Sequence, residues 1–243
     1  MNLFVANWKM HKTRAEARAF AADLGARIGN ARLRVELVLA PPLTALDAAL
    51  DQAGRWSLAA QNVAADASGA FTGEVSAQML ADAGCRYAIV GHSERRRLFG
   101  EDGRLLERKL ARCREAGLTP IYCLGETEEE RQRDATESVL TRQTETLAGD
   151  PASLPLVVAY EPVWAIGSGR AATPRDAAAA RELLERLLGS RSDLRLLYGG
   201  SVTAANAREL LDVSGMDGFL IGGASLDAAG FASIAGIAPA PAP

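Results

Sequence analysis

The sequence predicts an α/β protein, a single closed (β/α)8 barrel of eight parallel strands, on three observations. Eight short runs rich in Val, Ile, Leu and Ala recur along its 243 residues. They are nearly continuous in hydrophobicity, as strands covered on both faces are. Amphipathic stretches separate the runs, so that each strand and the helix after it make a unit of roughly 20 to 40 residues. Polar residues fit for chemistry gather just past the carboxyl ends of the runs, which in a barrel form one face. An open doubly wound sheet is the alternative built from the same units.

The first run, LFVAN at 3–7, is followed by TRAEARAFAADLGARIG at 13–29, an amphipathic helix. VELVLA at 35–40, SLAAQN at 57–62 and RYAIVG at 86–91 supply the next three strands, and LTPIYCL at 118–124 and LVVAYE at 156–161 the fifth and sixth. The stretch TPRDAAAARELLERLLG at 173–189 carries its own punctuation. Thr173 serves as N-cap, Pro174 takes the first helical position, Asp176 lies in the first turn and Gly189 ends the helix. LRLLYG at 194–199 and DGFLIG at 217–222 complete the strands. No linker or change of composition divides residues 1–237, which are read as one barrel domain; APAPAP at 238–243 is expected to be a frayed tail without a role.

Apolar residues make up 48% of the chain and charged residues 23%. These are ordinary values for a soluble globular protein, and no run of about 20 apolar residues marks a membrane span. A net charge of −3 leaves no footprint for nucleic acid, and the basic run Arg95-Arg96-Arg97, broken by Leu98 and Phe99, reads as a solvated helix face. The amino terminus MNLFVANWKMHK enters a strand at once, without the parts of a secretory signal, so the expected location is cytoplasmic. Cys85, Cys113 and Cys123 are widely spaced with no CxxC pair, which points to reduced, mostly buried thiols and to no metal site.

Glu161 closes a strand, and Pro162 disfavours helical backbone at the residue before it, so the carboxylate is expected to be held extended at the strand tip. A carboxylate withdrawn from water is a better general base near neutral pH. The other reading is a rim glutamate paired with an arginine; the loop that follows favours the base. Val163, Trp164, Ala165 and Ile166 are too apolar for an idle surface loop, and Gly167 and Gly169 offer backbone donors near a ligand. Together they read as a lid that excludes water and offers an amide to an anion.

His92 follows a strand and Gly91 and precedes a helix start, with Ser93 available as cap. The helix amino terminus disfavours an imidazolium, so His92 is either a neutral hydrogen-bond donor to a carbonyl oxygen or a structural histidine. His11 reads as an exposed loop residue. Lys9 is one of only three lysines; just past the first strand, it can offset negative charge on substrate oxygens, pair with a carboxylate such as Glu94, or both. YGGSV at 198–202 and IGGAS at 221–225 follow the last two strands. Glycines there let backbone amides approach a phosphate, with a short helix after Gly223 aiming its amino terminus at it.

The motifs ANWKM, AQN, SGAFTGEVSAQML, GHSERR, CLGE, AYEPVWAIGSG, YGGSV and GGASL stand in one order, and in that order the chain resembles the triosephosphate isomerase family over residues 2–237. The resemblance implies the TIM-barrel fold and a reversible exchange of D-glyceraldehyde 3-phosphate and dihydroxyacetone phosphate through an enediolate, with no cofactor and no metal. It makes Glu161 the base, His92 the electrophile, Lys9 the cation, Asn7 the residue that orients it and Glu94 a supporting neighbour. Gly167, Ser201, Gly222 and Gly223 are then the phosphate-holding residues. It also implies a homodimer, whose interdigitating loop carries Phe71 and Thr72 near its tip and Glu74 just after, docking beside the partner's Asn7 and Lys9. Ser168, Arg170, Thr203 and His11 depart from the commonest residues of the family; serine and arginine preserve the hydroxyl and the charge of the lid. A non-catalytic sugar-phosphate sensor predicts the loss of Lys9, His92 or Glu161, and all three are present. Other phosphate-binding barrels share the glycine pairs but not PVWAIGSG or NWKMHK.

Overall fold

The computed structural model describes every residue except 30–32, 52–53, 150–154, 167–171, 190, 192 and 238–243. The expected tail therefore lies outside the described residues. The chain runs β1 (Asn2–Asn7), α1 (Arg14–Ile28), β2 (Val35–Ala40), α2 (Leu46–Ala49), β3 (Ser57–Ala60), α3 (Ala77–Asp82), β4 (Cys85–Val90), α4 (Ser93–Phe99) and α5 (Gly103–Glu115). It continues β5 (Thr119–Leu124), α6 (Glu128–Gln132), α7 (Thr136–Thr144), β6 (Leu156–Tyr160), α8 (Pro174–Leu188), β7 (Leu194–Tyr198), α9 (Ala207–Ser214), β8 (Gly218–Ile221) and α10 (Ala228–Ile234). All neighbouring strands pair in parallel, and β8 pairs with β1. That closure excludes the open sheet.

Period-two alternation divides each strand between two cores. Leu3 and Val5 of β1 join Val38, Ile89, Ile121 and Val157 in the barrel interior. Phe4 and Ala6, one residue out of phase, pack with Trp8 and Phe20 under the helices. Burying one such aliphatic or aromatic side chain stabilises by about 1.5–3 kcal/mol, and both faces of every strand contribute, which is why the runs lack polar alternation. Helix limits follow their caps. Thr13 and Thr173 each form a capping box, with Glu16 and Asp176 respectively, and Pro174 opens α8.

The amino-terminal end of the barrel interior is closed by polar side chains. Arg195 of β7 donates to Glu36 of β2 at 2.6 Å and to the Tyr87 hydroxyl of β4 at 3.0 Å, and that hydroxyl donates to Glu36. Burial pushes the Glu36 carboxyl up, but the bonds from Tyr87 and Arg195 outweigh it and hold the pKa below its ordinary value. Cys85, Cys113 and Cys123 are free and buried. Burial raises the Cys85 thiol to about 11 and Cys113 to about 12, so neither is a thiolate near neutral pH. No described helix is long and apolar enough to cross a membrane.

Candidate active site

Asn7 ends β1 on the same face as Leu3 and Val5, so its side chain enters the barrel mouth. Its Oδ1 accepts the Lys9 backbone N–H at 3.1 Å, while Lys9 itself takes φ 52°, in the left-handed region. Such a backbone costs on the order of 1 kcal/mol and persists only where neighbours hold it. Gln61, at the end of the third strand segment, is one such neighbour: its Nε2 donates to the carbonyls of Lys9 and Ala40, each at 2.8 Å. Lys9 Nζ then reaches Glu94 Oε1 at 2.6 Å. Burial raises the Glu94 carboxyl, but the Lys9 bond and charge prevail and hold it below the usual carboxylate range.

His92, rather than Ser93, caps α4: its Nδ1 accepts the Glu94 backbone N–H at 3.2 Å. A nitrogen that accepts this bond carries no proton, so the neutral ring holds its hydrogen on Nε2. Nε2 lies 2.9 Å from Glu161 Oε1. The other carboxylate oxygen, Oε2, accepts the Ser93 backbone N–H at 2.8 Å. Burial lowers the imidazole pKa, yet the facing Glu161 carboxylate brings it above its ordinary value. The two contacts act on the ring in opposite directions: the Glu161 carboxylate favours the imidazolium, and the N–H at the amino terminus of α4, on Nδ1, favours the neutral ring.

Glu161 stands one residue beyond β6, is 1% exposed, and is anchored by its backbone N–H to Leu124 O at 2.7 Å. After Pro162, Val163–Ala165 form a 3-10 turn. The Trp164 indole N–H donates to Glu126 Oε1 at 2.8 Å, and the Tyr160 hydroxyl to the same oxygen at 3.0 Å. The Arg131 guanidinium stacks 4.3 Å from the Trp164 ring centroid and donates to Asp176 at 2.6 Å. Arg131 thus touches residues at both ends of the loop, Trp164 before it and the capped start of α8 after it. Gly167 lies outside the described residues, with Ser168, Gly169 and Arg170.

Just past β7, Ser201 Oγ donates to Ala165 O at 2.9 Å. The expected short helix after Gly223 is a 3-10 turn, Gly223–Ser225, held by Ser225 Oγ on the carbonyls of Ile221 and Gly222 at 2.9 and 2.7 Å. A side chain at Gly222 would place its Cβ 3.4 Å from Lys9 Cε. The last strand's glycines and the first strand's lysine therefore meet across the closure of the barrel. Lys9, His92, Glu161, Ile166, Ser201 and Gly222 line a cleft of ≈ 370 Å³. Among the described residues, no group of three His, Cys, Asp or Glu could hold a metal ion.

Phe71, Thr72 and Glu74 lie in an exposed loop whose base is closed by Ala64 N–H to Val75 O at 2.9 Å. Phe71 is 47% exposed, and Met10, Leu98 and Phe99 are more so. A second cleft of ≈ 500 Å³, lined by Lys9, Met10, Gln61, Glu74, Glu94 and Phe99 among others, adjoins the first through Lys9. Asn62, at the tip of its run in the sequence, accepts from the buried Lys109 Nζ at 2.6 Å. Lys109 also bonds Glu101 at 2.5 Å, which accepts from Arg95 at 2.7 Å. Three contributors carried no role in the sequence: Gln61, Glu126 and Arg131. Gln61 and Glu126 were legible as polar residues after strands. Arg131 had no signal, since Asp176 is 45 positions away.

The family model described as "Triosephosphate isomerase" matches residues 2–238. Among curated relatives, triosephosphate isomerase of Symbiobacterium thermophilum is 47% identical over 96% of this chain and 94% of its own length. That of a Synechococcus species is 44% identical over 96% and 95%. That of Thermus thermophilus is 43% identical over 97% and 98%.

Proposed function

Because the chain belongs to the triosephosphate isomerase family and interconverts D-glyceraldehyde 3-phosphate and dihydroxyacetone phosphate, we propose that Glu161 is the base that moves the proton between the two substrate carbons. One observation carries this: the 2.9 Å contact between Glu161 Oε1 and His92 Nε2, in a cleft that is also lined by Lys9 and, beside it, the last glycine pair. With the phosphate held by backbone amides of Ser201, Gly222 and Gly223, the reacting carbons lie between carboxylate and imidazole. Both Glu161 oxygens are engaged by His92 and Ser93 in this arrangement. Rotation about the side-chain torsions frees the carboxylate to face carbon and frees the Nε2 hydrogen to face oxygen.

Glu161 then removes a proton from one carbon while His92 donates a hydrogen bond to the oxygen on which charge develops. Lys9, already oriented by Asn7 and balanced by Glu94, offsets that charge. Return of the proton to the adjacent carbon completes the exchange, so no cofactor is called for. The glutamate base and neutral imidazole are the standard illustration of pKa tuning in this family. Closure of residues 163–170 over the cleft excludes water from the enediolate, with Gly167 adding its amide to the phosphate.

Residues 1–237 act as one catalytic domain, and the active form is a cytoplasmic homodimer. The exposed Met10, Leu98 and Phe99 line the same cleft as Lys9 and Glu94, so a second copy's loop seated there, with its exposed Phe71, both hides apolar surface and walls the site. Gel filtration at micromolar concentration is expected to give twice the chain mass; monomer alone would count against the dimer. The reaction itself is tested by isomerisation of glyceraldehyde 3-phosphate in EDTA, beside Glu161→Gln. Rapid turnover lost in the variant supports the reading. An inactive wild type that still binds substrate makes the barrel a sugar-phosphate sensor.

A further inference from the structure

Two catalytic side chains on different strands keep a defined spacing only if their backbones are held, and the hydrogen bonds behind the site form one continuous path between them. Arg96 of α4 donates through Nε to the Gly91 carbonyl at 2.7 Å, the peptide immediately before His92. Its Nη2 donates to Cys123 O at 2.7 Å and to the Tyr122 hydroxyl at 3.1 Å. That hydroxyl donates in turn to the Gln143 backbone carbonyl at 2.7 Å. The Gln143 side chain then closes on a single residue: its Oε1 accepts the Gly125 N–H at 2.8 Å and its Nε2 donates to the Gly125 carbonyl at 3.1 Å.

Gly125 abuts the base. A Cβ at Gly125 would lie 1.7 Å from the Glu161 carbonyl oxygen, so the two backbones are in contact and the position excludes any side chain. Gly91 is similarly constrained at the other end. It takes φ 73°, and a Cβ there would meet Arg96 Nη2 at 3.0 Å. Tyr122 points away from the barrel interior, since its neighbours Ile121 and Cys123 point inward. None of Arg96, Tyr122 and Gln143 lines the substrate cleft.

We propose that Arg96, Tyr122 and Gln143 form a strap outside the barrel that sets the spacing of His92 and Glu161, with Gln143 the positioning residue at the Glu161 end. The inference rests on the reading of Glu161 as base. The strap acts on the chemical step and not on phosphate binding, because the residues of the glycine cradle follow β7 and β8, and the bonds of the strap run to Gly91, Cys123 and Gly125 instead.

The test is steady-state kinetics of Gln143→Met, which keeps the length of the side chain but removes both bonds to Gly125, and of Tyr122→Phe, which cuts the strap at one oxygen. Gln143→Met is expected to lower kcat on the order of 10-fold and Tyr122→Phe about 3-fold, since sub-ångström misplacement of reacting groups is costly. KM and the inhibition constant of inorganic phosphate, a probe of the cradle alone, stay within about twofold. In a Glu161→Gln background, Gln143→Met adds less than about twofold, because the strap works through the residue already disabled. Wild-type kcat in both variants overturns the strap, as does a parallel loss of kcat, phosphate affinity and melting temperature. If Gln143→Met does not fold, Tyr122→Phe decides by the same criteria. A Glu161→Gln enzyme that turns over normally removes the base reading instead, whatever the strap variants do.

Discussion

The two ends of the barrel interior hold polar clusters of similar chemistry and opposite purpose. At the amino-terminal end, Arg195, Glu36 and Tyr87 bond to one another across the barrel, from three strands that are not neighbours. At the carboxyl-terminal end, Lys9 is held at a left-handed φ, and Glu161 and His92 are bonded to each other beside an open cleft. Glu36 borders a cleft as well, but its two oxygens are taken by Tyr87 and Arg195, and no glycine pair among the described residues stands beside them. The second has contacts that a ligand can exchange for its own. Burial, charge and a neighbouring cleft do not separate a structural cluster from a functional one; partners that a ligand can replace do.

The sharpest way to break this contrast is to remove a group from each end and measure both activity and stability. Glu161→Gln is expected to lower kcat by roughly 10²–10⁴-fold, the range for loss of a general base, with little change in unfolding midpoint. Lys9→Met should follow, at about 10²–10³-fold for a lost charge-stabilising donor, seen in kcat/KM. Arg195→Met reverses the pattern. Its loss takes from Glu36 the cation bonded to it and should cost about 1–3 kcal/mol in urea unfolding, between the exposed and the buried limits for a pair a quarter exposed, while kcat of the folded enzyme holds. A collapse of kcat in Arg195→Met, with the fold intact, would erase the distinction between the ends.

Acid sharpens the same comparison. Glu36 is held low by Tyr87 and Arg195 against burial, and Glu101 likewise by Lys109 and Arg95. A carboxyl with a folded pKa below its unfolded value contributes stability that is fully present above the unfolded value, near 4.3 for Glu. That contribution is lost as pH falls through the folded pKa. Urea midpoints should therefore decline below about pH 4.3, and less steeply in Arg195→Met. Thr173→Ala is the smallest change, about 1 kcal/mol for a lost N-cap. Because that cap shares Asp176 with Arg131, a fewfold change in kcat without any stability loss would move Thr173 from the helix to the loop's action.

The local elements were legible because each depends on neighbours in sequence. The capping boxes at Thr13 and Thr173 span three residues, and a strand covered on both faces shows as a continuous apolar run. Asn7, Lys9, His92, Glu161 and the two glycine pairs were legible as residues just past strand ends, because a parallel barrel sends all those ends to one face. The cap of α4 was misread, since Ser93 is the commoner capping residue and only the turn geometry gives that place to His92.

What the sequence by itself determined is the set of eight units, their order and the residues that the barrel mouth would receive, because hydrophobic period and capping are local interactions. What only the tertiary structure decided is closure and pairing. β8 reaches β1 and brings Gly222 beside Lys9, and Glu161 meets His92 across 69 positions of chain. Gln61, Arg131 and Gln143 likewise acquire their partners only when distant segments pack. Such contacts follow from the shape of the closed barrel, and no local pattern encodes a distance between residues so far apart in the chain.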